Sequence, residues 1–413
     1  MLSQSDLESM AAARAEGWGL PGRFYTDPEV YEAEIEMVWR RQWLFAGHDC
    51  QIPAKGDYLV LPLHNDSLLI IRGDDGVVRA MHNVCRHRGA LLCREESGHA
   101  AKLVCPYHQW VYGRDGTLLS ARGMPSDLDK GRFGLTRIPT RTVEGLIYIC
   151  LAEDPPDFNP AAETLEAVAR PQGLPRAKAA QIIDYEVAAN WKIVWENNRE
   201  CYHCNANHPQ YIRANFDHYN DDDTSEAVAA ELASAVGRAQ AKWRAAGLAA
   251  THRQTGMTCF PDPDRDIWYS ANRTVLVNGY LSESMDGRLV STLMGDYTDP
   301  DVGTVRMRTM PNMWIHASCD HVVSTRLLPA GLEHTLVRVA WLVDETAVEG
   351  KDYQLDHLLP FWRLTSEQDW ELCAAAQRGV RSSGYQPGPF SRHKEYNVDA
   401  FVRWYLKSLT GLR

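Results

Sequence analysis

The spacing of apolar residues along the chain predicts a helix first and short strands afterwards. Over residues 27–46 the apolar side chains recur at helical intervals behind an Asp-Pro start, which predicts an opening helix. From Gly56 onward they fall in short runs with turn residues such as Asp75-Gly76 between them, a pattern typical of hairpins. The predicted strands of this stretch are Tyr58–Leu63, Ser67–Arg72, Val77–His82, Leu103–Cys105, Trp110–Tyr112 and Leu146–Leu151.

A proline pair closes this stretch and indicates a domain boundary. Pro155-Pro156 separates a small all-β domain, predicted at residues 42–155, from a second domain at 156–413, on which an N-terminal helix within 1–41 is expected to pack. The second domain has helical spacing at Ala161–Arg170, Val194–Cys204, 348–378 and 397–410, and strand-like runs at Thr274–Val277, Arg288–Met294, Thr304–Met310, His321–Leu328 and Thr335–Val343. Helices that flank an antiparallel sheet give an α+β fold.

Length and composition are those of a two-domain globular protein. The 413 residues are 45% hydrophobic and 23% charged, and the formal net charge of -11 disfavours binding to nucleic acid or to an anionic membrane surface. The start, Met1–Glu8, has neither a basic segment nor an apolar run, so we expect no signal peptide and a cytoplasmic location. No apolar run approaches the ~18 residues that a membrane-spanning helix needs.

Two mixed cysteine–histidine pairs carry the strongest chemical signal. Cys85-Arg86-His87 and Cys105-Pro106-Tyr107-His108 are separated by residues 88–104. Two thiolates and two imidazoles are the ligands of a Rieske 2Fe–2S cluster, in which two His replace two Cys on one iron. A tetrahedral zinc site is the alternative, because it also accepts two Cys and two His. Zinc motifs, however, usually pair Cys with Cys and His with His, so we predict the Rieske cluster.

A second metal motif lies in the segment that begins at Asn190. Glu200, His203 and His208 form an acid-x2-His-x4-His pattern, and two imidazoles with one carboxylate make the facial triad of non-haem Fe(II) oxygenases. Histidines five residues apart on an ideal helix point about 140° away from each other. They can share a metal only if the helix breaks between them, and Pro209 favours that break.

The third ligand of this site must come from a distant part of the sequence. Asp369 is the best candidate, because an acid within an apolar-spaced helix is costly to bury unless it is paired or binds a metal. Asp356 and Asp344 are the reserve candidates.

The cysteines outside the cluster pairs show no framework pattern. We expect them to be reduced and to pack as small hydrophobic residues. The Cys201-x-x-Cys204 pair could suggest redox chemistry, but it lies inside the second metal motif, and we predict no disulfide there. The eight cysteines outside the cluster pairs are Cys50, Cys93, Cys150, Cys201, Cys204, Cys259, Cys319 and Cys373.

Taken in order, these motifs resemble the α subunits of Rieske non-haem iron oxygenases over nearly the full chain. The shared features are CxH…CxxH, the NWK…EN segment at 190–198, the two His and the late acid. The resemblance implies a helix-grip catalytic domain and a homotrimer. It also implies that an electron passes from one subunit's cluster to its neighbour's iron, bridged by the acid at Glu200.

The bridging acid also indicates a branch of the family. It is usually Asp in the ring-hydroxylating branch, whereas here it is Glu200 within ENNRECYHC. That segment resembles the quaternary-ammonium branch, namely glycine betaine monooxygenase, stachydrine (proline betaine) demethylase and, less closely, carnitine and choline monooxygenases. The resemblance therefore implies an oxygenase that hydroxylates an N-methyl group of a betaine and releases formaldehyde. An aromatic-ring hydroxylating dioxygenase α subunit is the alternative, and a plain electron carrier is a hypothesis from another class.

A quaternary ammonium substrate would need aromatic contacts, because its methyl groups donate no conventional hydrogen bond. The candidate pocket residues are Phe260, Trp268, Tyr280 and Trp314. Gly17–Gly22 matches GxGxxG, but no predicted strand precedes it, as a dinucleotide site requires. Electrons from NAD(P)H are therefore expected to arrive through a separate flavin/iron–sulfur reductase, with O2 as the co-substrate.

Overall fold

The computed structural model describes residues 2–215, 226–249, 260–277 and 279–411. The α-helices within these ranges are α1 (Gln4–Ala12), α2 (Arg23–Thr26), α3 (Pro28–Glu34), α4 (Asn159–Ala169), α5 (Trp191–Asn198), α6 (Cys204–Asn207), α7 (Pro209–Ala214), α8 (Glu226–Ala245), α9 (Leu355–Leu358), α10 (Pro360–Val380) and α11 (Tyr396–Thr410). The strands are β1 (Leu44–His48), β2 (Asp57–Leu63), β3 (Asp66–Arg72), β4 (Val78–His82), β5 (Ser97–His99), β6 (Leu103–Val104), β7 (Val111–Tyr112), β8 (Leu118–Ser120), β9 (Arg137–Ile138), β10 (Thr140–Val143), β11 (Leu146–Ile149), β12 (Ala177–Val187), β13 (Tyr269–Thr274), β14 (Thr304–Thr309), β15 (Met313–Ala317), β16 (Val322–Gly331) and β17 (His334–Asp344).

Strands β1 to β11 form three antiparallel sheets in the first region of the chain. The largest has the order β5-β2-β3-β4-β9, and two smaller ones have the orders β6-β7-β8 and β1-β11-β10. Between two of these sheets lies an apolar cluster that includes Cys85, Cys105 and Trp110. The predicted cluster pairs lie in the loops that follow β4 and β6. The predicted all-β character of this region is confirmed.

Strands β12 to β17 form one six-stranded antiparallel sheet in the order β12-β17-β16-β15-β14-β13. Helices α5 and α10 pack on the same face of it. Trp195 of α5 and Trp370 of α10 both contact Trp314 of β15, with ring centroids 5.1 Å and 6.5 Å away. Such aromatic contacts bury large apolar areas and fix how the helices lie on the sheet. The predicted α+β fold is confirmed, and both helices are held close to the candidate iron ligands.

Several element boundaries differ from the sequence-based prediction. The opening helix α3 ends at Glu34 and continues as a π-helical turn to Trp39. Strand β1 begins at Leu44, inside the predicted helix, and all five of its residues are buried. The predicted strand Thr274–Val277 instead ends at Thr274 in β13. Strand β12 was not predicted, and β15 was not predicted as a separate run. In β15 every residue is buried, so the alternation that marks a half-exposed strand is missing.

The predicted strand Arg288–Met294 is also wrong, since the structure shows irregular backbone there. The carboxylate of Asp320 accepts hydrogen bonds from the backbone N–H groups of Val290 and Ser291, at 2.6 Å and 3.3 Å. The Asp320 side chain thus binds the backbone N–H groups that would pair with a neighbouring strand in a sheet.

The N-terminal segment packs on the second region through buried polar contacts. Glu34 forms an ion pair with Lys192 at 2.5 Å, and both side chains are sealed from solvent. Trp191 and Tyr405 donate hydrogen bonds to the same carboxylate, at 2.8 Å and 2.6 Å. A buried charge pair is tolerated only when such additional bonds satisfy it. Across the ranges described above, no helix is both long and apolar enough to cross a membrane.

Candidate metal centres and active site

The two cluster loops fold in the same way. The backbone N–H of Gly89 donates to the carbonyl of Cys85, and that of Gln109 donates to the carbonyl of Cys105, both at 3.0 Å. Gly89 and Gln109 have φ angles of 74° and 59°, which turn the chain back four residues after each cysteine. The loops therefore present one cysteine and one histidine each in matching positions.

The two predicted histidine ligands lie together in the structure, and the two predicted cysteine ligands belong to one apolar cluster. The rings of His87 and His108 lie 4.6 Å apart, and His87 stacks on Trp110 at 4.7 Å. Cys85 and Cys105 are buried. Within the part of the chain that the structure describes, the buried Nδ1 atoms of both histidines have no hydrogen-bond partner. Buried polar atoms normally have partners, so two thiols and two unpartnered imidazole nitrogens suit a metal cluster.

The hydroxyl of Tyr112 contacts the cluster loop. It lies 3.3 Å from the Cys85 Sγ and accepts a hydrogen bond from the Arg86 N–H at 3.0 Å. That bond orients the hydroxyl so that its proton is available to the sulfur. A hydrogen bond to a ligand sulfur stabilises the reduced, more negative cluster and so raises its reduction potential.

We therefore predict that Tyr112→Phe lowers the reduction potential of the cluster by roughly tens of millivolts. For a one-electron couple, ~59 mV corresponds to a tenfold change in the equilibrium constant. Iron content and absorption should stay at wild-type levels. Protein-film voltammetry measures the potential, and Tyr107→Phe on the exposed side of the loop serves as the control. An unchanged potential in Tyr112→Phe would contradict the prediction.

The second metal motif adopts the predicted helix break. Helix α5 ends at Asn198, α6 spans Cys204–Asn207, and α7 begins at Pro209. His208 lies between α6 and α7 with φ -126° and ψ 63°, outside the helical region. Part of the predicted helix Val194–Cys204 is therefore a turn. The break brings the rings of His203 and His208 to 5.0 Å, nearly perpendicular to each other.

The carboxylate of Asp369 lies between the two histidines. Its Oδ1 is 3.1 Å from the Nε2 of His203 and 2.9 Å from the Nε2 of His208. Burial opposes a proton on His203, but hydrogen bonds to Asp369 and Glu200 outweigh it and raise its pKa to about 10. Burial also opposes ionisation of Asp369, yet hydrogen bonds from both histidines lower its pKa. Two imidazole nitrogens that converge on one carboxylate oxygen form the donor set of a facial-triad iron site, so these residues suit a metal ion.

Each histidine of this group has a different partner at its other ring nitrogen. The Nδ1 of His203 lies 2.5 Å from the Glu200 Oε1, whereas the Nδ1 of His208 lies 2.8 Å from the Gln368 Oε1. Gln210 donates to the same Gln368 oxygen at 3.0 Å and so holds it in place. Such partners fix the orientation of metal-binding imidazoles. Gln368 and Gln210 were missed from sequence because nothing in their local pattern distinguishes them from other buried amides.

The structure places the reserve acids outside this group. Asp344 ends β17, and its Oδ1 accepts hydrogen bonds from the backbone N–H of Thr346 at 3.0 Å and from its hydroxyl at 2.6 Å. Asp356 lies in the first turn of α9. Neither acid lines the pocket that contains Asp369.

The structure contradicts the prediction that Cys201 and Cys204 form no disulfide, because their sulfur atoms are bonded. Their Cα atoms are 5.0 Å apart across the turn that follows α5, a separation that a disulfide accepts. Cys259 lies outside the described residues. The remaining predicted cysteines are free, and they are Cys50, Cys93, Cys150, Cys319 and Cys373.

A pocket opens beside the group formed by His203, His208 and Asp369. Of the four predicted aromatic residues only Phe260 lines it. Trp314 packs between α5 and α10, as described above, and is buried. Trp268 lines a separate cleft, and Tyr280 does not line the pocket either. For Trp268, Tyr280 and Trp314 the structure differs from the prediction, because an aromatic residue that fills a core has the same sequence signature as one that faces a ligand.

The pocket lining also includes residues that sequence analysis did not select. Its aromatic members besides Phe260 include Tyr211 and Trp362, whose rings lie 5.8 Å apart. Strands of the six-stranded sheet form another wall of the pocket. Its polar members there are Ser270, Asn272, Arg306, Arg308 and His316. Alternation along the strands is the signal that could have found them, because residues two apart share one face of a sheet.

The fold and the two groups of ligands define a Rieske non-haem iron oxygenase. The family model for the ring hydroxylating alpha subunit (catalytic domain) matches residues 174–411, and the Rieske 2Fe–2S domain model matches residues 42–139. The chain belongs to this family of oxygenase α subunits. Its cofactors are therefore a Rieske cluster and a mononuclear iron, and its enzyme class, a Rieske-type monooxygenase, is confirmed.

Curated relatives agree with this family, and solved structures share its fold. It is 40% identical to the glycine betaine monooxygenase oxygenase subunit of Pseudomonas aeruginosa (strain UCBPP-PA14) over 400 residues, 96% of this chain and 90% of that protein. It is also 40% identical to that of Chromohalobacter salexigens over 388 residues, 94% of this chain and 84% of the relative. The fold matches that of the quaternary ammonium Rieske monooxygenase CntA in complex with L-carnitine, with a TM-score of 0.66, 20% identity, and coverage of 98% of this chain and 99% of that one. Naphthalene 1,2-dioxygenase from Rhodococcus sp. shares the fold to a similar degree, with a TM-score of 0.68, 18% identity and full coverage of both chains.

Proposed function

We propose that the protein hydroxylates an N-methyl group of a betaine such as glycine betaine or proline betaine. One oxygen atom of O2 enters the C–H bond and the other leaves as water, which consumes two electrons and two protons. The resulting N-hydroxymethyl ammonium loses a proton as its C–N bond breaks. This step releases formaldehyde and the N-demethylated tertiary amine.

The observation that carries this proposal is the 40% identity to glycine betaine monooxygenase oxygenase subunits over nearly the whole chain. The pocket supports it. Arg306, Arg308 and Asn272 line its sheet wall, and Phe260 and Trp362 belong to its aromatic wall. A zwitterion can use both kinds of wall, through hydrogen bonds at its anionic end and cation–π contacts at its cationic end.

The second candidate, aromatic-ring dihydroxylation, uses the same two metal sites. An aromatic hydrocarbon in this pocket would cover arginine and amide groups without replacing the hydrogen bonds of water, which costs free energy. The fold does not discriminate, because dioxygenases and quaternary ammonium monooxygenases share it. The polar wall therefore favours the betaine.

We assign the metal ligands within the predicted domains, 42–155 and 156–413. Cys85, His87, Cys105 and His108 hold the Rieske cluster, and their convergence supports this assignment. His203, His208 and Asp369 hold the mononuclear iron. When bound, the iron supplies the oxygen chemistry, while Glu200 and Gln368 orient the two imidazoles through their Nδ1 atoms.

The partners follow from the same proposal. A separate NAD(P)H-dependent flavin/iron–sulfur reductase delivers electrons in the cytoplasm, where NAD(P)H is available. The relatives' name, oxygenase subunit, is consistent with such a division of labour. We propose a homotrimer in which the Rieske cluster of one subunit faces Glu200 of the next. The small substrate is cationic at its methylated nitrogen, and no nucleic acid or membrane takes part.

The test is product analysis with purified protein, a Rieske-system reductase, NADH and O2. Glycine betaine, proline betaine and carnitine are compared with naphthalene and a methoxybenzoate. We expect formaldehyde and the demethylated amine in equal amounts from at least one betaine, measured by a formaldehyde assay and mass spectrometry. Formaldehyde from the methoxybenzoate alone, or a cis-diol from naphthalene, would favour the aromatic alternative instead.

A further inference from the structure

We propose that the sheet wall of the pocket binds the carboxylate of the betaine, with Arg308 as its main partner and Ser270 beside it. The inference rests on the proposed function and deepens it. It names the group that distinguishes a betaine from other quaternary ammonium compounds, such as choline, which carry the same trimethylammonium group without a carboxylate.

The register of three strands brings the polar side chains of this wall together. Ser270 of β13 lies directly opposite Arg308 of β14, and Asn272 lies opposite Arg306. Arg306 in turn lies opposite His316 of β15. Directly paired residues, and residues two apart on one strand, share a face of the sheet, and all five line the pocket. Two guanidinium groups, an amide and a hydroxyl therefore point to one side and provide the donors that a carboxylate prefers.

Arg306 is held within this wall by contacts to other buried protein groups. It is 1% exposed, it donates to the Asn215 Oδ1 at 2.7 Å, and it lies 3.9 Å from the carboxylate of Glu283. Glu283 is itself buried, so the two charges balance each other inside the protein. Arg308 is only partly buried and lines the same pocket. A guanidinium that remains accessible from the pocket can contact a ligand directly.

The positions of the two arginines relative to Asp369 along α10 also favour Arg308 as the carboxylate partner. Arg308 lies opposite Trp314, whose ring is 6.5 Å from Trp370, the residue after Asp369. Arg306 lies opposite His316, whose ring contacts Trp362 at 4.3 Å, seven residues before Asp369. Seven helical residues span about 10 Å. Arg308 thus lies closer to the level of Asp369 than Arg306 does, by the roughly 7 Å that two residues span along a strand.

The charges of the pocket orient a short zwitterion. Glu200 and Asp369 place acidic groups on the wall that holds the iron ligands, where the methylated nitrogen must approach the metal, and Arg308 places a cation on the sheet wall. Arg199 and Lys394 also line the pocket, outside the sheet. In glycine betaine a methyl carbon and a carboxylate oxygen are separated by four bonds, about 5 Å when extended. A carboxylate bound at Arg308 would hold the ammonium toward the acidic wall and so present a methyl group to the site of oxidation.

The experiment measures equilibrium binding of glycine betaine and of choline to the holoenzyme without O2, by isothermal titration calorimetry. Arg308→Gln should weaken glycine betaine binding about tenfold or more, and a tenfold loss equals 1.4 kcal/mol. Choline affinity should change less than about twofold. Arg308→Lys should recover part of the affinity, because it restores the charge without the planar fork. The matched control Arg288→Gln removes an arginine that is 87% exposed, and it should change neither ligand.

Three results would overturn the inference. Equal losses for both ligands in Arg308→Gln would mean that Arg308 supports the fold of the pocket and does not recognise the carboxylate. Unchanged glycine betaine affinity would place the carboxylate elsewhere. A wild-type protein that binds neither compound, and does not bind proline betaine in a parallel titration, would overturn the proposed function, and this inference with it. The wild-type titrations therefore separate the two kinds of failure.

Discussion

Replacing Asp369 by Ala should remove the mononuclear iron and abolish turnover while the Rieske spectrum stays intact. The Asp369 Oδ1 lies within hydrogen-bond distance of the Nε2 atoms of both His203 and His208, so its loss leaves two imidazoles without the carboxylate that joins them. Two neutral ligands hold Fe(II) far more weakly than a set that includes an anionic oxygen. The cluster ligands lie in separate loops of the first region, and the substitution does not touch them.

Metal analysis distinguishes the two sites directly. Wild-type protein should contain three irons and two acid-labile sulfides per chain, and Asp369→Ala should contain two of each. His203→Ala and His208→Ala should behave in the same way. Asp356→Ala is the matched control, since Asp356 lies on α9 and outside the pocket. If Asp369→Ala keeps its third iron and its activity, the third ligand is a different residue.

The metal sites could be predicted from sequence because their chemistry is concentrated in short segments. Cys85 with His87 and Cys105 with His108 each lie within one tight loop, so spacing alone determines that they can converge. The break at His208 was likewise foreseeable, because Pro209 restricts the residue before it. Asp369 is distant in sequence, and only the cost of burying an acid indicated it.

The pocket could not be predicted in the same way. Its polar wall depends on the register of β13, β14 and β15, and β15 was not recognised because all five of its residues are buried. The aromatic residues chosen from sequence, Trp268, Tyr280 and Trp314, do not line this pocket, whereas Trp362 does. Tertiary packing decides whether an aromatic side chain faces the core or a cavity, and local sequence does not encode that choice.

Replacing Glu200 by Gln should slow turnover more than tenfold while both metals and the proposed trimer are retained. Both carboxylate oxygens of Glu200 are engaged. Oε1 contacts the His203 Nδ1 at 2.5 Å, and Oε2 accepts hydrogen bonds from the backbone N–H groups of Tyr202 and His203. Glutamine keeps the size of the side chain but loses the charge and one acceptor oxygen. His203 should therefore keep its position less firmly and lose the anionic partner of its Nδ1–H.

The readout that matters is the oxidation state of the cluster during turnover. In the proposed trimer Glu200 also faces His108 or His87 of the neighbouring subunit, so its loss should slow oxidation of the pre-reduced cluster in stopped-flow absorption with substrate and O2. Glu200→Asp restores the charge with a shorter reach and should recover only part of the rate. Glu371→Gln, on the exposed side of α10, should behave as wild type. The amide of Gln could still accept a hydrogen bond from the His203 Nδ1–H, but it offers no charge to a neighbouring subunit. Full activity in Glu200→Gln would therefore show that the electron follows another path.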